Sequence, residues 1–516
     1  CSAAFSCLGS MARDMTPASL SISSFREINM KSGRKVNGTK LIRAVSVLCM
    51  FALICGAWCS MGNLVKDKTM SGNSQLYNFY QLEDDAVDVL VVGSSHAFLG
   101  VNTCMLFDEY GITSYDMGTG AQPVWIGYYY LQEALKTQTP QLVVYDIFMI
   151  YRSDEETEEA ALRGLINLKP SLNKWKAVKA SNYNKKFHSA GIFLNFPYTH
   201  TRYNELTELD FLDHSKKDYN GYMPGGGVSS SVLKFDGEFF DAASVTESEP
   251  PTARAEEYMR RIFECCKEEN IPLVLVNTPV LNLSEEKQKV YNYVEEMAEE
   301  YGVPILDGNK YVDEIGIIWT EDMYDISHLN YQGSLKFTKW LGEYLNANYD
   351  LKDHSNDPRY QHWADESDRF YHEAVLSNTL AEIDEAGAYI RELQANSGLS
   401  AAVTLTGKWE KSEEDISGLM RELNPDWNRE NALLLDEETV VFSASASEED
   451  YREHFDYGRV VLELSQESGK AAVRSNEEEY QSAKNGINFV VYDKIAQAVI
   501  DSACFNLEKG VLKRTS

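Results

Sequence analysis

The chain has 516 residues, with 79 acidic against 48 basic side chains and a formal charge of -31. A surface that acidic repels phosphate backbones, which argues against nucleic acid as a partner. A hydrophobic content of 44% over this length is that of a globular protein of two or more domains, not of a disordered chain.

Residues 1–40 are expected to form a cytoplasmic tail. Met11 and Met30 are candidate starts within it, so the residues ahead of them are expected to lie outside the natural protein. From Ala44 to Met61 an almost unbroken apolar run follows. It is near the lower limit for crossing a hydrocarbon core of about 30 Å. Arg26, Lys31, Arg34, Lys35, Lys40 and Arg43 precede it, so the positive-inside rule leaves the remainder outside the cytoplasm. A cleaved signal peptide fits less well, because the run is long and its cut sites are poor. Residues 41–62 are therefore expected to be a single-pass anchor in the cell membrane, and residues 63–85 a polar stalk.

Val87 to Val92 is an apolar run closed by Gly93-Ser94-Ser95-His96. This is the pattern of a buried parallel strand reaching the rim of an α/β sheet, where ligands bind. The same serines also suit a helix N-cap. Asn102 to Tyr110 reads as a helix stopped by Gly111. Ile112 to Met117 reads as a strand ending in Gly118-Thr119-Gly120, Val124 to Lys136 as a helix, and Leu142 to Phe148 as a strand. Such βαβα alternation predicts a doubly wound parallel sheet. Residues 150–250 interrupt it and are expected to form an inserted lid. Within that stretch His200 and Arg202 lie among aromatics and could face a substrate. The pattern resumes with a helix over Ala253 to Glu269, a strand over Pro272 to Asn277, a Ser284-capped helix to Tyr301, and a strand over Val303 to Leu306.

Asp325-x-x-His328-Leu329-Asn330 then precedes a predicted helix over Gln332 to Leu345. A carboxylate three residues from an imidazole can hold its Nδ1 proton and turn Nε2 toward a nucleophile. Residues 351–396 read as a helical connector. Residues 397–516 read as a small antiparallel β domain, with strand-like runs at Ala402–Leu405, Val440–Phe442, Val460–Leu464, Ile487–Tyr492 and Ala498–Ile500. Trp409, Trp427, Tyr451 and Tyr457 there suit either core packing or a sugar platform. Four of the nine cysteines, Cys104, Cys265, Cys266 and Cys504, fall in the body and have no zinc or disulfide spacing.

Taken together, Gly-Ser-Ser after the first strand, a glycine turn after the second and Asp-x-x-His before the last helix resemble the SGNH (GDSL-like) hydrolase superfamily. The resemblance covers about residues 86–350. It implies a flavodoxin-like sheet, Ser95 as nucleophile, His328 as general base and Asp325 as its orienting partner. It also implies an oxyanion hole drawn from the Ser95 N–H and that of Gly118 or Gly120, and no metal or cofactor.

Ser94 stands where the family has Asp. The family's Asn donor after the third strand has no match, since Tyr145-Asp146-Ile147-Phe148 lies there and leaves Gln122 or a lid residue to substitute. The Ser-Ser-His motif and the anchor resemble an envelope-modifying branch, which includes alginate O-acetyltransferase-like and D-alanyl-transfer proteins. In that branch His96 either tunes the site or caps the helix. The expected function is an extracytoplasmic serine esterase or O-acyltransferase acting on acyl esters of a cell-envelope polysaccharide, with a membrane-bound acyl donor protein as a partner in the transfer case. The rival expectation is an inactive, glycan-binding or scaffold protein of the same fold.

Overall fold

The computed structural model describes residues 38–65, 73–152, 158–181, 192–193, 200–204, 206, 219–224, 239–407, 413–445, 447, 449–458, 460–475, 478–508 and 511–515. The chain divides into an N-terminal unit, Cys1–Ser60, and a body, Met61–Ser516. Helix α1 (Gly38–Val65) contains Ile42–Gly62, long and apolar enough to cross a membrane. Its side chains from Ile42 to Phe51 are exposed.

The expected stalk is corrected from residue 73 onward, residues 66–72 lying outside the described ones. Helix α2 (Asn73–Phe79) buries Leu76 and Phe79 in the main core, and the Tyr115 hydroxyl donates to the Gln75 carbonyl. The polar composition of the stretch hid two apolar residues at helical spacing, and these are enough to dock one short helix.

The parallel sheet is built in chain order. Strand β1 (Val89–Val92) leads into α3 (Ser95–Gly100) and α4 (Thr103–Tyr110). Then come β2 (Ser114–Asp116), α5 (Val124–Ala134) and β3 (Leu142–Asp146). Helices α6 (Glu158–Asn167) and α7 (Leu172–Ala180) fall in the insertion. Helix α8 (Ala253–Glu268), β4 (Leu273–Asn277), α9 (Glu285–Tyr301), β5 (Ile305–Asp307) and α10 (Tyr331–Asn348) complete the fold.

The strand order is β2-β1-β3-β4-β5, with every pairing parallel. This is the flavodoxin-like, doubly wound sheet, and its crevice opens beyond β1 where the order reverses. Alternation along β1 feeds two cores. Leu90 and Val92 pack with α5, α8 and α9, while Val89 and Val91 pack with Leu106, Phe337 and Leu341 of α4 and α10.

The expected lid is corrected in part. Leu165, Leu168, Ala177 and Val178 of α6 and α7 are buried in the main core. That part of the insertion is a packed layer, because its apolar residues recur at helical spacing. Residues 207–218 and 225–238 lie outside the described ones.

The connector is a chain of short helices. Helix α11 (Gln361–Phe370) runs into a π-helical turn, Tyr371–Leu376, and then a short helix, Ser377–Glu382. Helix α12 (Ala386–Ala395) belongs to the second core.

The C-terminal domain has three layers and is larger than its strand-like runs suggest. Strands β6 (Leu399–Thr406), β7 (Glu430–Asp436) and β8 (Thr439–Ser445) join β13 (Gly486–Asp493), β14 (Ala498–Glu508) and β15 (Val511–Arg514) in one antiparallel sheet. Helix α12 and α13 (Glu413–Leu423) cover one face through Ile390, Ile416 and Met420. A second sheet covers the other, formed by β9 (Tyr451–Asp456), β10 (Val461–Glu467), β11 (Lys470–Ser475) and β12 (Glu478–Glu479). Trp427 is buried with α13, while Tyr457 stacks on Tyr492 at 4.2 Å. These two aromatics serve packing and share no platform; Trp409 lies outside the described residues.

Candidate functional site

The site begins where β1 meets β3. A Cβ at Gly93 would lie 2.4 Å from Asp146 Cβ, so only glycine lets the two strand ends approach this closely. Asp146 Oδ2 accepts both the Ser94 N–H (3.0 Å) and the Ser94 hydroxyl (2.8 Å), and Oδ1 accepts the Phe148 N–H (3.1 Å). Burial pushes the Asp146 carboxyl up from the ordinary range, against the pull of the Ser94 and Phe148 donors and of His328. Ser94 is the N-cap of α3, accepting the His96 N–H.

Ser95 follows and is partly exposed between two buried neighbours. Its Oγ lies 2.8 Å from His328 Nε2. The imidazole is held by a tight loop, in which Met323 and Leu329 form a β-bridge and Tyr324 N–H donates to the His328 carbonyl. Asp325 Oδ1 accepts the backbone N–H of Ser327 (2.7 Å) and of His328 (2.8 Å), and Oδ2 lies 2.9 Å from His328 Nδ1. Burial opposes the Asp325 charge. The His328 ring and these N–H donors outweigh it and hold the carboxyl below its usual range. With that carboxylate ionised, Nδ1 carries the proton and Nε2 is free to accept the Ser95 hydroxyl. Asn330 closes the loop, capping α10 at Gly333 N–H and donating to the Glu321 carbonyl.

His96 does not cap the helix with its side chain. Its ring lies between Phe148 (centroids 3.3 Å apart) and His328 (4.5 Å), stacked on both. Nδ1 is 3.2 Å from Thr278 Oγ1, and Nε2 is 3.3 Å from Ser327 Oγ. The ring thus ties the ends of β1 and β4 to the loop that carries His328. Burial, followed by the charges of His328 and Lys287, pushes its pKa well below the ordinary histidine value.

The sign of the resulting pH effect follows from linkage. The unfolded chain binds a proton at this residue below about pH 6.5 and the folded chain does not, so stability falls as pH drops through that range. In urea melts between about pH 7 and pH 5, His96→Gln is expected to remove a slope of up to about 1.4 kcal/mol per pH unit. Equal slopes in the two proteins would mean that His96 is not held neutral.

The remaining candidates are placed differently. The Gly118 N–H is directed to Asp116 Oδ1 and is not free for an oxyanion. Gln122 Nε2 donates to Met117 O (3.3 Å) and Thr119 Oγ1 (3.1 Å), bracing its own turn. The Gly120 carbonyl accepts from Arg163, and the N–H groups of Gly120 and Ser95 have no acceptor among the described residues. Arg202 donates to the Val65 carbonyl, beside the C-terminal end of α1. His200 opens a short 3₁₀ turn, and its side chain lies outside the described residues.

Sequence reasoning overlooked Asp146 as a partner of Ser94, and Phe148, Thr278 and Ser327 as partners of His96. All four follow strand ends or lie within the histidine loop, and that position was the available signal. Among the described residues, no group of three or more His, Cys, Asp or Glu is placed to hold a metal ion.

No protein-family model matches the sequence, and no curated protein matches it. Among the solved structures similar to it, two matched at low identity serve as examples. A candidate acylhydrolase from Bacteroides fragilis is 12% identical with a TM-score of 0.28, over 55% of this chain and 98% of that one. A gut microbial diltiazem-metabolizing enzyme is 12% identical with a TM-score of 0.20, over 51% of this chain and 48% of its own.

Proposed function

We propose that this protein is a serine esterase or O-acyltransferase of the SGNH kind. The observation that carries the reading is the continuous relay from Ser95 Oγ through His328 to the Asp325 carboxylate. His328 Nε2 takes the Ser95 proton as Oγ attacks an ester carbonyl. It then gives that proton to the departing alkoxide, leaving an acyl-serine. Water or a sugar hydroxyl, deprotonated by His328, attacks the acyl-serine, and Ser95 leaves with its proton restored. The N–H groups of Ser95 and Gly120 are the donors left to receive the oxyanion. His96 positions the base, stacking beneath it and anchoring Ser327.

The substrate class we infer is the acyl ester of a cell-envelope glycan. The support is the apolar helix α1, preceded by basic residues, which suits a single-pass protein with its body outside the cytoplasm. In the transfer case the acyl group would come from a membrane-bound donor protein.

A fluorophosphonate probe tests the reading. We expect it to label the wild type at Ser95 and to leave Ser95→Ala unlabelled. A wild type that resists labelling would overturn it. One observation favours the rival, binding-only reading: the Gly118 N–H, a family oxyanion donor, is committed to Asp116. That reading predicts no labelling alongside retained polysaccharide binding.

A further inference from the structure

Lys287 stands in the first turn of α9, where the positive end of the helix dipole disfavours a cation. It is partly buried. Its ammonium donates to the Asn282 carbonyl at 2.8 Å and lies 5.1 Å from the centre of the Tyr151 ring. Both contacts ease the burial of the charge, and neither cancels it. Among the described residues Lys287 forms no ion pair. The two acids of the same turn are engaged elsewhere, Glu285 with Lys289 and Glu286 with Ser284.

A second cation makes the position worse. Arg152 presents its guanidinium to the same Tyr151 ring, 5.7 Å from its centre. Burial, followed by the charge of Arg152, pushes the Lys287 ammonium below the ordinary lysine value. Two cations thus share one ring in a chain whose formal charge is -31. A partly desolvated charge with no counter-charge costs folding free energy. Such a cost is characteristic of functional sites, where a ligand supplies the missing anion.

The two cations border the Ser95 relay by two routes. Tyr151 packs edge-on against Phe148 (5.6 Å), Phe148 stacks on His96 (3.3 Å), and His96 stacks on His328 (4.5 Å). The Asn282 N–H donates to the Ile326 carbonyl (3.0 Å), within the loop that carries Asp325 and His328. An anion at Lys287 would therefore lie beside an ester at Ser95 and not on the reacting group itself.

We propose that Lys287, with Arg152 beside it, is a specificity-determining subsite for a negatively charged group, a carboxylate or a phosphodiester, on the polymer unit next to the acyl ester. It names the charge class of the substrate and rests on the esterase reading.

Binding is measured apart from turnover. Full-length protein in a non-ionic detergent would be titrated calorimetrically at low salt with tetragalacturonate, with a tetramer of glycerol phosphate and with neutral cellotetraose. Saturable binding of at least one anionic tetramer is expected, with a dissociation constant of about 1 mM or tighter, and none of cellotetraose. The tetramer that binds tells the carboxylate from the phosphodiester. Lys287→Met keeps the apolar stem, removes the charge and should weaken binding roughly tenfold or more. Lys287→Arg keeps a cation and should retain binding. Lys289→Met removes a charge already paired with Glu285 and should leave the affinity unchanged.

Absence of binding by both anions, equal binding of cellotetraose, unchanged affinity in folded Lys287→Met, or equal weakening by Lys289→Met would each overturn the subsite. Such a failure with Ser95 still labelled by the fluorophosphonate leaves the relay standing. Binding retained with Ser95 unlabelled overturns the relay alone.

Discussion

Replacing Ser95 by alanine is expected to lower kcat/KM for p-nitrophenyl acetate by roughly 10⁴- to 10⁶-fold, and His328→Ala by a similar factor. The two losses should not add. The hydroxyl and the imidazole act through one hydrogen bond, 2.8 Å long, and removing either end removes its use. Asp325→Asn should cost about 10⁴-fold for a different reason. Asp325 Oδ1 is claimed by the backbone N–H groups of Ser327 and His328, so an asparagine would keep its oxygen there. Its amide nitrogen would then replace Oδ2, 2.9 Å from His328 Nδ1, leaving only the shared Oδ1, 3.0 Å away, to accept the ring proton; this favours the tautomer protonated at Nε2, which blocks the Ser95 hydroxyl. Steady-state kinetics of the three single variants and the Ser95/His328 double variant check all of this. Additive losses in the double variant would refute a shared relay.

Gly93→Ala should be damaging although it lies outside the relay. The added methyl would sit 2.4 Å from Asp146 Cβ, 2.9 Å from Asp146 Oδ2 and 3.0 Å from Ala97 Cβ. None of these is the free end of a flexible side chain, so the ends of β1 and β3 must part. Overpacking of this kind typically costs about 1–3 kcal/mol. The displaced group is also the one that holds Ser94 by two hydrogen bonds, one residue before Ser95. A shift of about 1 Å at a reacting group can cost roughly 10²-fold in rate. We therefore expect both a lower urea midpoint and at least that loss of turnover in the folded variant. Full activity in Gly93→Ala would show that the Ser94–Asp146 clamp does not position Ser95.

Much of the α/β fold was legible because its signals are local. Val-Leu-Val-Val before glycine, Asn102 and Gly111 at the two ends of α4, and Ser284 before α9 each state an element in a few residues. The site was legible in outline for a related reason: strand ends converge in a doubly wound sheet, so polar residues placed there meet.

What escaped reading depends on distant contacts. Asp146 looked like a missing asparagine donor, and only the approach of β3 to β1 makes it the partner of Ser94. Gly118 looked like a free donor until Asp116, two residues earlier, turned out to occupy its N–H. Residues 73–79 read as polar, and their docking rests on Leu76 and Phe79 finding a core supplied elsewhere. In the C-terminal domain, Glu430–Asp436 was overlooked. Its run of three leucines lacks alternation because both faces of β7 are covered, one by α13 and the other by the second sheet.

Ser95 and His328, the nucleophile and base of the proposed relay, are separated by 233 residues. At a synthesis rate of about 5–20 residues per second, roughly 10–50 s pass between the emergence of one and of the other. Throughout that interval the serine has no base, because the loop bearing His328 can be placed only once β4, β5 and their helices have paired. If the proposed relay is the catalyst, nascent and truncated chains are chemically silent. On that reading, turnover would in effect report that the last strand has found its neighbour.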